Sequence, residues 1–176
     1  MRTLVIDCAT EACSVALFEA GELIAGEYAD LGRGHAERLV PMIAALPGNG
    51  QADRIAVNSG PGSFTGIRVG LAAARALALP WNAAVSGYSS LALVAAMACR
   101  TQPGMALDVV MTGGHGEWFL QSFGSDGAPL AELVSLAPEA AASASHAQLV
   151  AGSQAEALAR LRGDAQVTAL MQLPDA

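Results

Sequence analysis

The stretch Gly60-Pro-Gly-Ser-Phe-Thr-Gly-Ile-Arg-Val-Gly70 runs directly into Leu-Ala-Ala-Ala-Arg-Ala-Leu-Ala-Leu79. A short apolar run, Arg54 to Ser59, leads into the Gly/Pro turn, and the helix formers beyond it predict a helix over 62–79. On a 3.6-residue period Gly62, Gly66, Gly70, Ala74 and Ala78 fall on one face, a ridge of minimal side chains. Glycine inside a helix costs about 1 kcal/mol relative to alanine, so the ridge needs a reason. Three are open: backbone approach to a ligand at the helix N-terminus, close packing against a partner's helix, or flat packing on the chain's own sheet.

At 176 residues, 53% of them hydrophobic, the chain can bury a core in one domain or two small lobes. Its net charge of −7 lacks the basic footprint of a protein that binds nucleic acid tightly and directly. All nine basic residues are arginine. Lysine-based phosphate binding, Schiff-base chemistry and a Ser–Lys dyad are thereby excluded. Cys8, Cys13 and Cys99 lack metal-type spacing and read as buried thiols of a cytosolic protein. Asp7 and Glu11 interrupt the N-terminal apolar run, and the alanine-rich runs 71–80 and 91–99 are too short to span a bilayer. A cytoplasmic protein without a membrane segment is expected.

The segment order occurs twice. Strands are predicted at Thr3–Cys8, Cys13–Phe18 and Leu23–Tyr28, then a helix over 34–46 bent at Pro41. A strand at Ile55–Asn58, the glycine-ridged helix, a strand near 84–86 and a helix over 89–98 complete the first pass. Strands at Ala106–Val110, Glu117–Phe123 and Leu130–Leu136 restart the pattern, followed by a helix to Ala144, a strand at 148–151, a helix at 154–161 and a strand at 167–170. Asp108 is placed as the counterpart of Asp7. The expected architecture is α/β, two duplicated βββαβα lobes of the actin-like ATPase (ribonuclease H-like) fold, at 1–102 and 103–176.

Four pieces occur in order: Ile6-Asp-Cys-Ala-Thr-Glu-Ala-Cys-Ser-Val-Ala-Leu17, Arg33-Gly-His-Ala-Glu-Arg-Leu-Val-Pro-Met-Ile43, the Gly60–Gly70 segment, and Ser86-Gly-Tyr-Ser-Ser-Leu91. Together they resemble the TsaB (YeaZ) family over most of residues 2–98. The resemblance implies a non-catalytic subunit in bacterial synthesis of threonylcarbamoyladenosine in tRNA. It implies pairing with a TsaD-type catalytic subunit, with a TsaE-type ATPase joining the pair; the helices at 34–46 and 62–79 left unpaired would expose an apolar patch, so a homodimer is expected when the chain is alone. It also implies that the helices at 34–46 and 62–79 meet the partner, with His35, Leu39, Met42, Gly66, Gly70, Leu71, Ala74, Arg75 and Ala78 as interface residues. Family members usually continue beyond the position of Pro174-Asp-Ala176, so an incomplete cover on the second lobe is expected.

TsaD-type relatives hold a metal with two histidines four residues apart. Here His35 is followed by Leu39, so neither a metal nor a cofactor is expected. Asp7, Thr10, Gly62 and Ser63 form a weak candidate nucleotide or anion site, because an acid after the first strand serves the metal–nucleotide of actin-like ATPases. Ala9 stands where close phosphate approach favours glycine. Asp7 can equally cap a turn, and Ser63 or Thr65 can N-cap the helix. The alternative is an enzyme in its own right, an actin-like ATPase or a glycoprotease-like metallopeptidase (peptidase M22). No residue is assigned a catalytic role.

Overall fold

The computed structural model describes residues 1–171 and 173–176, which divide into two compact units. One unit comprises Met1–Ser90 together with Pro174–Ala176, the other Leu91–Leu173.

In the first unit, alternating apolar residues build strands β1 (Arg2–Asp7), β2 (Ala12–Glu19) and β3 (Glu22–Asp30). Helix α1 (His35–Ala45) continues across Pro41, and a short left-handed turn at Pro47–Gly50 leads to β4 (Arg54–Asn58). Helix α2 (Phe64–Trp81) and strand β5 (Ala84–Tyr88) follow. The sheet order is β3-β2-β1-β4-β5; β2 is antiparallel to both its neighbours, whereas β1, β4 and β5 are mutually parallel. Leu4 and Ile6 of β1, Cys13, Val15 and Leu17 of β2, and Ile55 and Val57 of β4 face α1 and α2 in one core.

The second unit repeats the topology. Helix α3 (Ser90–Thr101) precedes β6 (Leu107–Thr112), β7 (Trp118–Phe123) and β8 (Val134–Leu136). Helix α4 (Pro138–Ala144), β9 (Leu149–Ala151), α5 (Ala155–Arg162) and β10 (Thr168–Leu170) complete it. The order β8-β7-β6-β9-β10 is the first sheet over again, so the duplicated actin-like plan is present. Strict alternation covers both faces of this sheet. Leu107, Val109 and Met111 meet α3, while Val110, Trp118 and Leu120 meet α4 and α5.

Three expectations need correction. The units divide at Ser90/Leu91 rather than at 102/103, because Leu91, Val94, Ala95 and Ala98 of α3 are core residues of the second sheet. The strand expected over 130–136 shrinks to Val134–Leu136, preceded by an isolated bridge between Phe123 and Pro129. Asp108 is not the counterpart of Asp7: it lies near the start of β6, whereas Asp7 ends β1. Its carboxylate accepts hydrogen bonds from the Ser122 and Ser145 hydroxyls and from the backbone N–H groups of His146 and Ala147, which ties β6 to β7 and to the α4–β9 connection.

Candidate functional site

The carboxyl ends of β1, β4 and β5 bring Asp7, Asn58 and Tyr88 together, the position where open α/β sheets hold ligands. All three side chains are turned on one another. Asp7 Oδ2 accepts from Asn58 Nδ2 at 2.6 Å and from the Tyr88 hydroxyl at 3.0 Å, and Oδ1 accepts from the Ala9 N–H at 3.0 Å. Asn58 Oδ1 accepts from the Gly60 N–H and from the buried Ser90 hydroxyl. Burial pushes the Asp7 carboxyl above its ordinary value, against the pull of these donors. Asp7 is a strut joining three strand ends; Asn58 and Tyr88 are its side-chain partners, and Ser90 holds Asn58 in turn. Asn58, Tyr88 and Ser90 are not among the site residues expected from sequence; their signal is a polar residue at or just after the end of each parallel strand.

The loop between β1 and β2 lies directly on the start of α2. Ser63 N–H donates to Ala9 O at 2.7 Å, and the Ser63 hydroxyl N-caps the helix by accepting from Gly66 N–H at 3.2 Å. A Cβ on Gly62 or Gly66 would collide with the carbonyl oxygen of Ala9 or of Cys8. These glycines therefore admit the chain's own backbone, and that approach is why Gly62 and Gly66 lack side chains. The Thr10 hydroxyl accepts from the Ala12 N–H within the same loop. Asp7, Thr10, Gly62 and Ser63 do come together at one end of the sheet, yet their polar groups close on one another. They do not fit a metal–nucleotide pair.

His35 opens α1, and its Nε2 lies 2.9 Å from Thr10 O and 3.3 Å from Ala12 O. Two carbonyl acceptors make Nε2 a donor, so this nitrogen carries its proton and is closed to a metal. Among the described residues no group of three His, Cys, Asp or Glu is placed to hold a metal. An open cleft of about 490 Å³ separates the N-terminal ends of α1 and α2, lined by Gly34, His35, Glu37, Ser63, Thr65 and Val69 among others.

The ridge on α2 faces inward, which corrects five of the expected interface residues. Gly66, Gly70 and Ala74 are buried against β1 and β4, and Leu39 and Met42 of α1 are buried in the same core. Leu71 and Ala78 are half-buried against that core, and Arg75 is exposed. The surface on offer is the opposite face of α2, where Phe64, Arg68, Ala72, Arg75, Ala76 and Leu79 recur at helical spacing. Phe64 is 69% and Leu79 86% exposed, and the Arg68 guanidinium stacks 3.6 Å over the Phe64 ring. On α1, which packs beside α2, Ala36, Val40 and Ala44 continue an outward apolar line, with Val40 59% exposed.

Among the described residues no helix is long and apolar enough to cross a membrane. The family model described as TsaD, tRNA N6-adenosine threonylcarbamoyltransferase, matches residues 29–174. The tRNA threonylcarbamoyladenosine biosynthesis protein TsaB of Escherichia coli K12 is 41% identical over 105 residues, covering 57% of this chain and 45% of that protein. The chain thus spans less than half the length of this curated relative. YeaZ from Pseudomonas aeruginosa superposes with a TM-score of 0.84 at 29% identity, covering 99% of this chain and 86% of that one. The ethanolamine utilization protein EutJ from Carboxydothermus hydrogenoformans, 10% identical with a TM-score of 0.51 over 99% of this chain and 85% of that one, shares the fold alone. With these matches, the duplicated topology and the Gly60–Gly70 segment, the chain belongs to the TsaD family, on its TsaB (YeaZ) branch.

Proposed function

We propose that this chain is a non-catalytic binding subunit in the synthesis of threonylcarbamoyladenosine in tRNA, acting in the cytoplasm and holding a TsaD-type catalytic subunit on the outer face of α1 and α2. A TsaE-type ATPase joins through that pair, and without the partner two copies cover the same face. The observation that carries the reading is the outward stripe of Phe64, Leu79 and Val40, large apolar side chains left in water on two adjacent helices. The closed constellation around Asp7 supports the non-catalytic part, since its carboxylate already takes three donors from the chain itself. Of the residues assigned from sequence, the half-buried His35, Leu71 and Ala78 and the exposed Arg75 stay with the interface.

Leu79→Glu and Phe64→Ala test the proposal in co-purification with a TsaD-type subunit, followed by reconstitution of the tRNA modification. Both side chains are exposed in the free chain, so both variants should melt within a degree or so of the wild type. Central apolar anchors each contribute about 2 kcal/mol or more, and affinity should fall at least roughly thirtyfold. Unaltered binding by both variants would remove this face from the interface. Metal-dependent peptidase or robust ATPase turnover by the purified chain would overturn the non-catalytic reading.

A further inference from the structure

We propose that Cys8 and Cys13 form a reversible dithiol–disulfide pair which, oxidised by a hydroperoxide, fastens the loop on which the N-terminal ends of α1 and α2 are assembled. The two sulfurs lie 3.6 Å apart, with Cys8 2% and Cys13 0% exposed. Pairing of β1 with β2 runs in register down to Asp7 opposite Ser14, so Cys8 and Cys13 are the next facing positions. Facing residues of antiparallel strands have Cα separations of about 4.5–5.5 Å, inside the range of about 4.4–6.8 Å that a disulfide bridges. At such a separation a disulfide of about 2.05 Å can close across the pair.

The backbone between them is already clamped. Ala9 O accepts from Ser63 N–H, Thr10 O and Ala12 O share the His35 Nε2–H, and Glu11 O accepts from the N–H groups of Leu31 and Gly32. A covalent tie across the neck of this loop therefore stiffens the start of both helices at once. Cys99 provides an internal comparison: its thiol points to Gly124 O at 3.9 Å.

In the chemical step a Cys13 thiolate attacks one peroxide oxygen. The O–O bond breaks, the leaving hydroxide takes up a proton and departs as water, and Cys13 becomes a sulfenic acid. The Cys8 sulfur, losing its proton, then attacks Cys13 Sγ; the S–O bond breaks and a second water leaves. Two thiols lose two electrons and two protons, and one peroxide is reduced to two waters. The hydrogen bond between the thiols favours a thiolate on Cys13 with the Cys8 thiol as its donor. Both sulfurs are shut away in the closed fold, so local opening of the loop gates the reaction.

The test treats the reduced chain with hydrogen peroxide, then unfolds it, alkylates it with iodoacetamide and maps tryptic peptides. Cys8 and Cys13 share the peptide Thr3–Arg33, and Cys99 lies on another. The expected result is a Thr3–Arg33 peptide lighter by two hydrogens that resists alkylation until dithiothreitol is added. Hydrogen exchange at the amides of residues 9–12 and 63–66 should slow roughly tenfold in the oxidised protein. In Cys8→Ser, checked for folding by circular dichroism, Cys13 should stop at a sulfenic acid that dimedone traps. Full alkylation of both thiols after exposure sufficient to oxidise Cys99 would overturn the pair. So would Cys13 passing to sulfinic acid in the wild type while Cys8 stays reduced. A disulfide that leaves the exchange rates unchanged would overturn the fastening.

Discussion

Alanine substitutions at Gly66 and Gly70 should have opposite signs, although both glycines lie in α2 and four residues apart. Alanine is the better helix former by about 1 kcal/mol, so the substitution stabilises wherever a methyl group finds room. At Gly70 it does. The new Cβ would meet Val57 Cγ2 at 3.4 Å and Cys8 Cβ and Ile6 Cγ2 at 3.7 Å, ordinary contact with core atoms. Gly70→Ala is expected to add about 0.5–1 kcal/mol. At Gly66 the new Cβ would lie 3.1 Å from the Cys8 carbonyl carbon and closer still to its oxygen. No rotamer relieves a clash between two backbones, so α2 must move away from β1, straining the 2.7 Å bond from Ser63 N–H to Ala9 O. Overpacking costs about 1–3 kcal/mol; at the upper end, less the gain in helix propensity, Gly66→Ala loses about 2 kcal/mol. For a chain of this size each kcal/mol moves the melting temperature by about 2–4 °C. Gly66→Ala should melt about 4–8 °C below the wild type, and Gly70→Ala about 1–4 °C above it. Thermal and urea unfolding followed by circular dichroism measure both. A Gly66→Ala protein as stable as the wild type would refute the reading that these glycines admit the chain's own backbone.

Ala74→Leu overpacks a fully buried position, so it should destabilise the isolated chain by about 1–3 kcal/mol; an unchanged melting temperature with lost partner affinity would return the ridge to the interface. His35→Ala removes the donor shared by Thr10 O and Ala12 O, at an expected cost of about 1–2 kcal/mol and with faster hydrogen exchange in the loop over 9–12. Exchange unchanged there would count against the clamp. The Asp7 carboxyl, raised by burial, binds its proton more tightly in the folded chain. Its contribution to stability is therefore full below the ordinary value of 3.8 and is lost as pH rises through the raised one. Carbon-13 titration of Asp7 by NMR should give a midpoint above 3.8, and a midpoint below it would contradict the balance between desolvation and the three donors.

Local pattern was sufficient for the element types and their repetition. Period-two alternation in Cys13–Phe18 and the short apolar run Ala106–Val110 locate strands, and Ser63 before a run of helix formers marks an N-cap. The family could be read from the Gly60–Gly70 segment because Gly62 and Gly66 are demanded by backbone contacts, and Gly60 by its left-handed backbone, which few sequences satisfy together. Which way α2 turns was undecidable from its sequence. Small and apolar residues occupy both of its faces, and Arg68 and Arg75 are the only charged contrast between them. Only the packed structure sets Gly66, Gly70 and Ala74 against the sheet and leaves Phe64, Arg68 and Leu79 outside. The constellation around Asp7 is likewise tertiary. Asn58 and Tyr88 lie 51 and 81 residues away along the chain, and parallel pairing of β1, β4 and β5 alone delivers them to the carboxylate. A sequence specifies what each segment prefers; which of its faces is buried, and which distant side chains share a strand end, is decided when the segments pack.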